Sequence, residues 1–323
     1  MEINEKLIKE FENSIDTIHL ERGEVPIKLL GFGEISLVFE FLNDIAPIAY
    51  KRLPIFESKI QVNRHISAYI RYHEILTRLG IQVPPEDSIW IRTSKNKIVL
   101  YCAQEKISPE TIGNRIIHDK ISKNDFRNLI LLIMQKLSNI WLFNNRSKKI
   151  QVGIDGQISN WSLTGYDSGR SEITEDEQLV YLDTSTPMFR VNGIEAMEPD
   201  LFLKSAPSFL RWLLKALFVE EVVGRYYDFR NVAIDLIANF YKEQKPNLIP
   251  ESLNIINTFF KEEVSQLEIP PISYDEIYSY YNGFLGDKQI WVIFQNARRI
   301  DRYLQTKMLK KGYDFYLPNK IKR

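Results

Sequence analysis

The sequence predicts an α+β chain of two lobes: a β-rich N-terminal lobe over residues 1–106 and a larger, mainly helical lobe over 107–323. Three observations predict it. Apolar residues keep helical spacing over residues 1–20, then change from Ile27 into short β-branched and aromatic runs punctuated by glycine, Asn43-Asp44 and Pro84-Pro85. Helical spacing returns after about residue 107 and dominates from there. The chain has 323 residues, 44% hydrophobic and 26% charged, which is enough for one large domain or two ordinary ones with a sizeable core.

The elements follow in order. Ile3, Leu7, Ile8, Phe11, Ile15 and Ile18 mark an opening helix that Pro26 closes off. Leu29 to Phe41 reads as strand, glycine turn, strand, and Ile45 to Leu53 as a third strand carrying Lys51, so an antiparallel meander is expected. Residues 61–79 are helical, with Gly80 as C-cap. Strands are expected at Ser88–Arg92 and Lys97–Ala103, then a long amphipathic helix from Asp125 to Phe143. Short strands at Ile150–Ile154 and Leu179–Leu182 interrupt the helices, and further helices are expected over 207–242, 251–266 and 273–312. Trp161–Leu163 is expected to pair with Leu179–Leu182 as a hairpin whose loop is the polar stretch from Tyr166 to Glu177.

Composition excludes several function classes. Lys plus Arg equals Asp plus Glu at 42 each, so no DNA or RNA partner is expected. One cysteine, Cys102, forms no internal disulfide, and a reducing, cytoplasmic setting is the expectation. The four histidines are too scattered for a structural zinc site. The start of the sequence has no apolar run of a secretory signal, and charges interrupt the most apolar stretch, Phe209 to Gly224, so no membrane span is expected. Arg298, Arg299, Arg302, Lys307, Lys310, Lys311, Lys320, Lys322 and Arg323 make the last segment basic. A solvated helix face and tail is the plain account of it, and contact with an acidic surface or partner is the alternative. The tyrosines from Tyr274 to Tyr281 are assigned to helix packing ahead of a substrate cleft.

Five signals carry chemistry. Gly31-Phe-Gly33 with Ser36 is a glycine turn; such pairs also occur in dinucleotide folds and ordinary turns, but Leu37-Val-Phe-Glu-Phe leads into a strand and not into a helix. Lys51 ends Ala49-Tyr-Lys51 on a strand, where a surface lysine is the common alternative. Glu74 lies on the following helix, inward or facing solvent. Asp155 and Asn160 stand five positions apart in Asp155-Gly-Gln-Ile-Ser-Asn160, a spacing that chance also produces. Asp183 ends the apolar strand Leu179-Val-Tyr-Leu. The hairpin pairing brings Asn160 beside Asp183.

In that order the signals resemble the protein-kinase-like superfamily, in the style of its aminoglycoside and choline phosphotransferase branch, over roughly residues 27–190. The resemblance implies ATP and Mg²⁺ as cofactors and a small-molecule hydroxyl as acceptor. It implies that Gly31, Gly33 and Ser36 cover the nucleotide phosphates and that Lys51, braced by Glu74, holds them. Gln104, Glu105 and Lys106 would form the hinge that meets adenine, Asp155 would act as base or orienting group, and Asn160 and Asp183 would hold the metal.

Departures from the pattern shape the alternatives. Gly153 stands where the family has histidine or tyrosine, Ile154 where regulated protein kinases have arginine, and Thr184-Ser-Thr-Pro187 where Phe-Gly would follow Asp183. No Ala-Pro-Glu follows. These features argue against a regulated protein kinase, and leave open a pseudokinase that binds nucleotide or a partner protein without catalysis, and AMP transfer on the same fold.

Overall fold

The computed structural model describes residues 2–33, 35–119, 121–167, 169, 172–174, 177–207, 211, 223–283 and 286–318. It is an α+β chain with a β-rich N-terminal region and a helical C-terminal part. After helix α1 (Glu5–Ser14) come β1 (Ile27–Phe32), β2 (Leu37–Phe41) and β3 (Ile48–Phe56). Helix α2 (Lys59–Arg78) precedes β4 (Glu86–Arg92) and β5 (Ile98–Glu105). The five strands make one antiparallel sheet in the order β1-β2-β3-β5-β4.

Alternation builds this sheet. Leu37, Phe39 and Phe41 are buried on one face, and α1 covers them with Ile8 and Phe11, Phe11 lying 4.7 Å from Phe39 between ring centroids. Val38, Lys51 and Cys102 stand in register across β2, β3 and β5, on the opposite face. That face packs on α2 through Val62 and Tyr69. The third strand starts at Ile48 and not Ile45, because Asp44 turns back to accept from the Ala46 N–H and Pro47 precedes the ladder.

Helix α2 opens at Ser58, whose hydroxyl accepts from the Gln61 N–H at 3.2 Å. It closes at Gly80, with φ of +76°; Ile81 N–H bonds to Leu76 O and Gly80 N–H to Thr77 O, the paired closure that this backbone allows.

The helical part begins with the short α3 (Gly113–Ile116) and the long α4 (Lys123–Arg146), which buries Phe126, Leu129, Ile133, Leu137 and Ile140. Against it pack α5 (Phe229–Lys242) and α6 (Ile249–Glu262), followed by α7 (Tyr274–Asn282) and α8 (Asp287–Tyr303). The single helical region expected over 273–312 is therefore broken around Gly283 and Gly286 and ends in a wider turn over Leu304–Met308. Of the helix expected over 207–242, residues 208–210 and 212–222 lie outside the described residues. Strand β6 (Ile150–Val152) pairs with β9 (Phe189–Val191), which pairs with β10 (Ile194–Glu195). Strands β7 (Trp161–Leu163) and β8 (Leu179–Tyr181) form the expected hairpin, Trp161 opposite Tyr181 and Leu163 opposite Leu179.

The end of the chain returns to the N-terminal sheet, which a boundary at residue 106 does not convey. Tyr313 and Leu317 are buried, the Thr17 hydroxyl donates to Tyr313 O, Arg52 to Asp314 O at 2.8 Å, and Tyr316 stacks 5.5 Å from Phe32. Arg298 is not part of a solvated basic face: it is 1% exposed, between Phe294 and Phe315, and reaches Tyr316 O. Arg299 donates to Pro318 O at 3.3 Å. Lys320, Lys322 and Arg323 lie outside the described residues. No helix among the described residues is long and apolar enough to cross a membrane.

Candidate active site

The loop after β6 carries the first acidic group. Gly153 N–H bonds to Met188 O at 2.8 Å and Ile154 N–H to Tyr226 O at 3.0 Å, so both flanks of Asp155 are held by backbone. A Cβ on residue 153 would lie 2.9 Å from Tyr226 O and 3.1 Å from the Tyr227 ring, and the Tyr72 hydroxyl donates to Gly153 O at 2.8 Å. Glycine stands here because a tyrosine from α2 and two from residues 226–227 already fill the space. Buried Ile154 and Ile158 pin the loop from below.

The Asp155 carboxylate accepts from the Gln157 N–H at 3.1 Å. Burial, then the neighbouring carboxylates of Asp235 and Asp183, push it up to about 7. Asn160 donates its amide N–H to Asp155 O at 3.2 Å, which leaves the amide oxygen as acceptor. Leu182 N–H bonds to Asn160 O at 2.8 Å, extending the β7–β8 ladder and setting Asp183 directly beyond it. Lys51 reaches down from β3 and donates to Asp183 Oδ1 at 2.6 Å. Four residues separated by up to 132 positions thus meet at one place.

Glu74 is not among them. It is exposed, and Lys51 pairs with Asp183 instead. The reason is helical phase: α2 turns Val62, His65, Tyr69, Tyr72 and Leu76 inward, and Glu74 falls two residues, about 200° of arc, past Tyr72. A different carboxylate serves this corner. Glu86, on β4, is contacted by His73 Nε2 at 2.7 Å, accepts from the Tyr69 hydroxyl, and lies 3.4 Å from the Thr184 hydroxyl. Burial raises its pKa, against the lowering effect of His73, Tyr69 and Thr184. Gln104 donates to Leu182 O at 3.0 Å and to Thr184 Oγ1 at 3.1 Å, and His65 Nε2 lies 3.0 Å from Ser185 O. The backbone around Asp183 is therefore anchored from β4, β5 and α2 together.

The glycine turn and hinge are also placed. Gly33 N–H bonds to Ser36 O at 3.0 Å, closing a tight turn between β1 and β2, while Gly31 pairs with Val38 across a bulge. The hinge differs from expectation. The N–H groups of Glu105 and Lys106 are already bonded to Pro85 O and Pro47 O, and the Gln104 side chain turns toward Asp183's neighbours. The next N–H, of Ile107, has no partner among the described residues.

On the other side of Asp155 lies a polar group that sequence patterns did not single out. Gln157 donates to Asp235 Oδ2 at 3.0 Å and accepts from Asn239 and Lys242 at 3.1 and 3.0 Å. Tyr280 donates to Asp235 Oδ1 at 2.7 Å, and Arg225 donates to the Tyr280 and Tyr226 hydroxyls. Asp235 is 6% exposed. One signal marks it in the sequence: it is the lone charge within the apolar run Val232-Ala-Ile-Asp-Leu-Ile-Ala238. Glu86 has no such mark, since acidic residues at strand starts are ordinary. Tyr280 reaches the site group, whereas Tyr281 stacks on Tyr241 at 5.0 Å as helix packing.

Among the described residues no group of three or more His, Cys, Asp or Glu is arranged to hold a metal ion. The cation donors at the site are one carboxylate and one amide oxygen. Residues 10–302 match the model of a family of unknown function, DUF6206, and no curated protein matches the chain.

Proposed function

The chain belongs to that family of unknown function, and we propose that it is an ATP- and Mg²⁺-dependent phosphotransferase of two-lobed, kinase-like fold acting on a small-molecule hydroxyl. The observation that carries this reading is the convergence of Lys51, Asp155, Asn160 and Asp183, with Lys51 Nζ 2.6 Å from Asp183 and Asn160 tied to Asp155 and Leu182.

The residues fit Mg²⁺ in kind: a carboxylate and an amide oxygen are hard donors, and this ion completes its shell with water and phosphate oxygens. Asp183 and Asn160 would hold it; when bound it neutralises charge on the transferred phosphoryl group. Lys51 would hold the nucleotide phosphates, exchanging part of its contact with Asp183 for phosphate oxygens. Gly31, Gly33 and Ser36 form the turn above them, and the Ile107 N–H is the hinge donor toward adenine. Asp155 takes or orients the acceptor's hydroxyl proton, and its pKa near 7 suits a group that gains and loses a proton at neutral pH. Ile154 offers no cation beside Asp155 and no Ala-Pro-Glu segment follows, which favours a small acceptor over a protein.

The test is incubation with labelled ATP and Mg²⁺ against a pool of small-molecule alcohols and against a protein lysate. Transfer to a small molecule, lost in Asp155→Asn, is the expected outcome. Transfer to lysate proteins alone removes the small-molecule acceptor. Nucleotide binding without transfer to anything favours the second reading, a pseudokinase, for which the exposed position of Glu74 and the Lys51–Asp183 pair speak.

A further inference from the structure

The stretch from Tyr303 to Gly312 is unlike the rest of the surface. Tyr303, Leu304, Met308 and Leu309 are 61, 37, 68 and 60% exposed, and Lys307, Lys310 and Lys311 among them are exposed as well. Ile300, one turn earlier on α8, is 56% exposed. No Asp or Glu lies between residues 303 and 312. The acids that flank the stretch are engaged elsewhere: Asp301 accepts from Gln305 at 2.7 Å and Asp314 accepts from Lys97 at 2.5 Å. The segment is held firmly at both ends, by buried Arg298 before it and by buried Tyr313 and Leu317 after it.

Large apolar side chains left in water cost free energy, and a monomer scatters them singly where they have no task. Here they alternate with lysines on a short helical projection. That combination suits the boundary of a membrane with anionic headgroups: the apolar side chains enter the acyl edge while the ammonium groups stay among the phosphates. An acidic protein surface would be met by the lysines but would leave Leu304, Met308 and Leu309 without a matching partner unless it also carried an apolar groove.

We propose that the segment from Ile300 to Lys311 is a peripheral docking site for an anionic membrane surface. It lies on the connection from α8 to the tail that packs on the N-terminal sheet, so docking would leave the Asp155–Asp183 site unobstructed by its own contacts. The proposal is independent of the phosphotransferase reading.

The experiment is co-sedimentation of the full chain with extruded vesicles of phosphatidylcholine alone, and of phosphatidylcholine with 30% phosphatidylserine (about this fraction suffices for a strongly negative surface). Binding to the anionic vesicles, weakened by raising salt, is expected. Each lysine near such a surface contributes about fivefold, so Lys310→Glu with Lys311→Glu should lower partitioning by at least about 25-fold. Met308→Glu with Leu309→Glu should abolish it. These positions are exposed, and unchanged melting temperatures of the variants confirm that folding is not the cause. Absence of binding to anionic vesicles overturns the proposal. Equal binding by wild type and both variants overturns it too, as does a concentration-dependent dimer, measured by light scattering, that both variants dissociate.

Discussion

Asp155 carries a carboxyl group that burial and two neighbouring carboxylates push from an ordinary 3.8 up to about 7. A raised pKa means that the folded protein holds a proton which the unfolded chain releases between about pH 4 and 7. Stability from this group is full below the ordinary value and is lost as pH rises through about 7. Asp155→Asn should flatten that slope, so the variant gains stability relative to wild type on going from pH 5 to 8, measured by denaturant midpoints. If the residue is the base, wild-type turnover should rise with pH through about 7, and Asp155→Asn should lower it by about 10²–10⁴-fold while leaving nucleotide affinity nearly intact. Glu86 is a second residue whose value lies in its partners. Glu86→Ala would leave the Tyr69 hydroxyl and His73 unpaired inside the protein and should cost about 1–3 kcal/mol. Glu86→Gln keeps the shape and some of the bonds, and should cost less.

At the scale of elements, the Asp155 loop is a packed object and not a flexible turn. Its start is enclosed by Tyr72, Tyr226 and Tyr227, so Gly153→Ala must displace a backbone carbonyl. The expected loss is about 1–3 kcal/mol, typical of overpacking, read as a lower thermal midpoint; an unchanged midpoint would mean that the loop yields easily. The β7–β8 hairpin was legible beforehand because Trp161-Ser-Leu and Leu179-Val-Tyr are short apolar runs either side of a polar loop, and their pairing has one register that buries Trp161 and Tyr181. The β6–β9 pairing was not, since Phe189-Arg-Val is three residues long and its partner lies 38 residues earlier by numbering, beyond what local alternation encodes. The phase of α2 was misjudged for a similar reason. Its apolar spacing is broad enough to allow either His73 or Glu74 to face inward, and contact with β4 and β5 selects the former.

Across the whole molecule, the first helix and the last residues meet over one buried charge. Arg52 binds the Glu12 carboxylate and Asp314 O; both side chains of the pair are 5% exposed or less, and Tyr101 donates to Glu12 at 2.6 Å. The nearby carboxylate of Glu12 outweighs burial and raises the Arg52 pKa. Glu12→Ala would strand the guanidinium in the interior and should cost about 3–5 kcal/mol, with the thermal midpoint as the measurement. Ligand binding offers a second global test. Mg-ATP at about a hundred times its dissociation constant should stabilise the protein by about 2.7 kcal/mol, and Asp183→Ala should remove most of that shift. Equal shifts in the two proteins would take Asp183 out of the nucleotide site.

The sequence by itself determined the class of the chain and the order of its parts. Alternating apolar residues from Ile27 to Ala103 commit that stretch to strands, helical spacing commits the rest, and the polar loop between Trp161–Leu163 and Leu179–Tyr181 dictates a hairpin that places Asn160 next to Asp183. These are local consequences of side-chain period and turn chemistry. The tertiary structure alone decided which carboxylate serves the corner beside Lys51, how the hinge N–H groups are used, and that Asp235 stands behind Asp155. It also decided that the C-terminal tail lies on the N-terminal sheet with Arg298 buried beneath it. Each of these depends on contacts between residues far apart in the chain, where burial and charge are set by neighbours that no local pattern names.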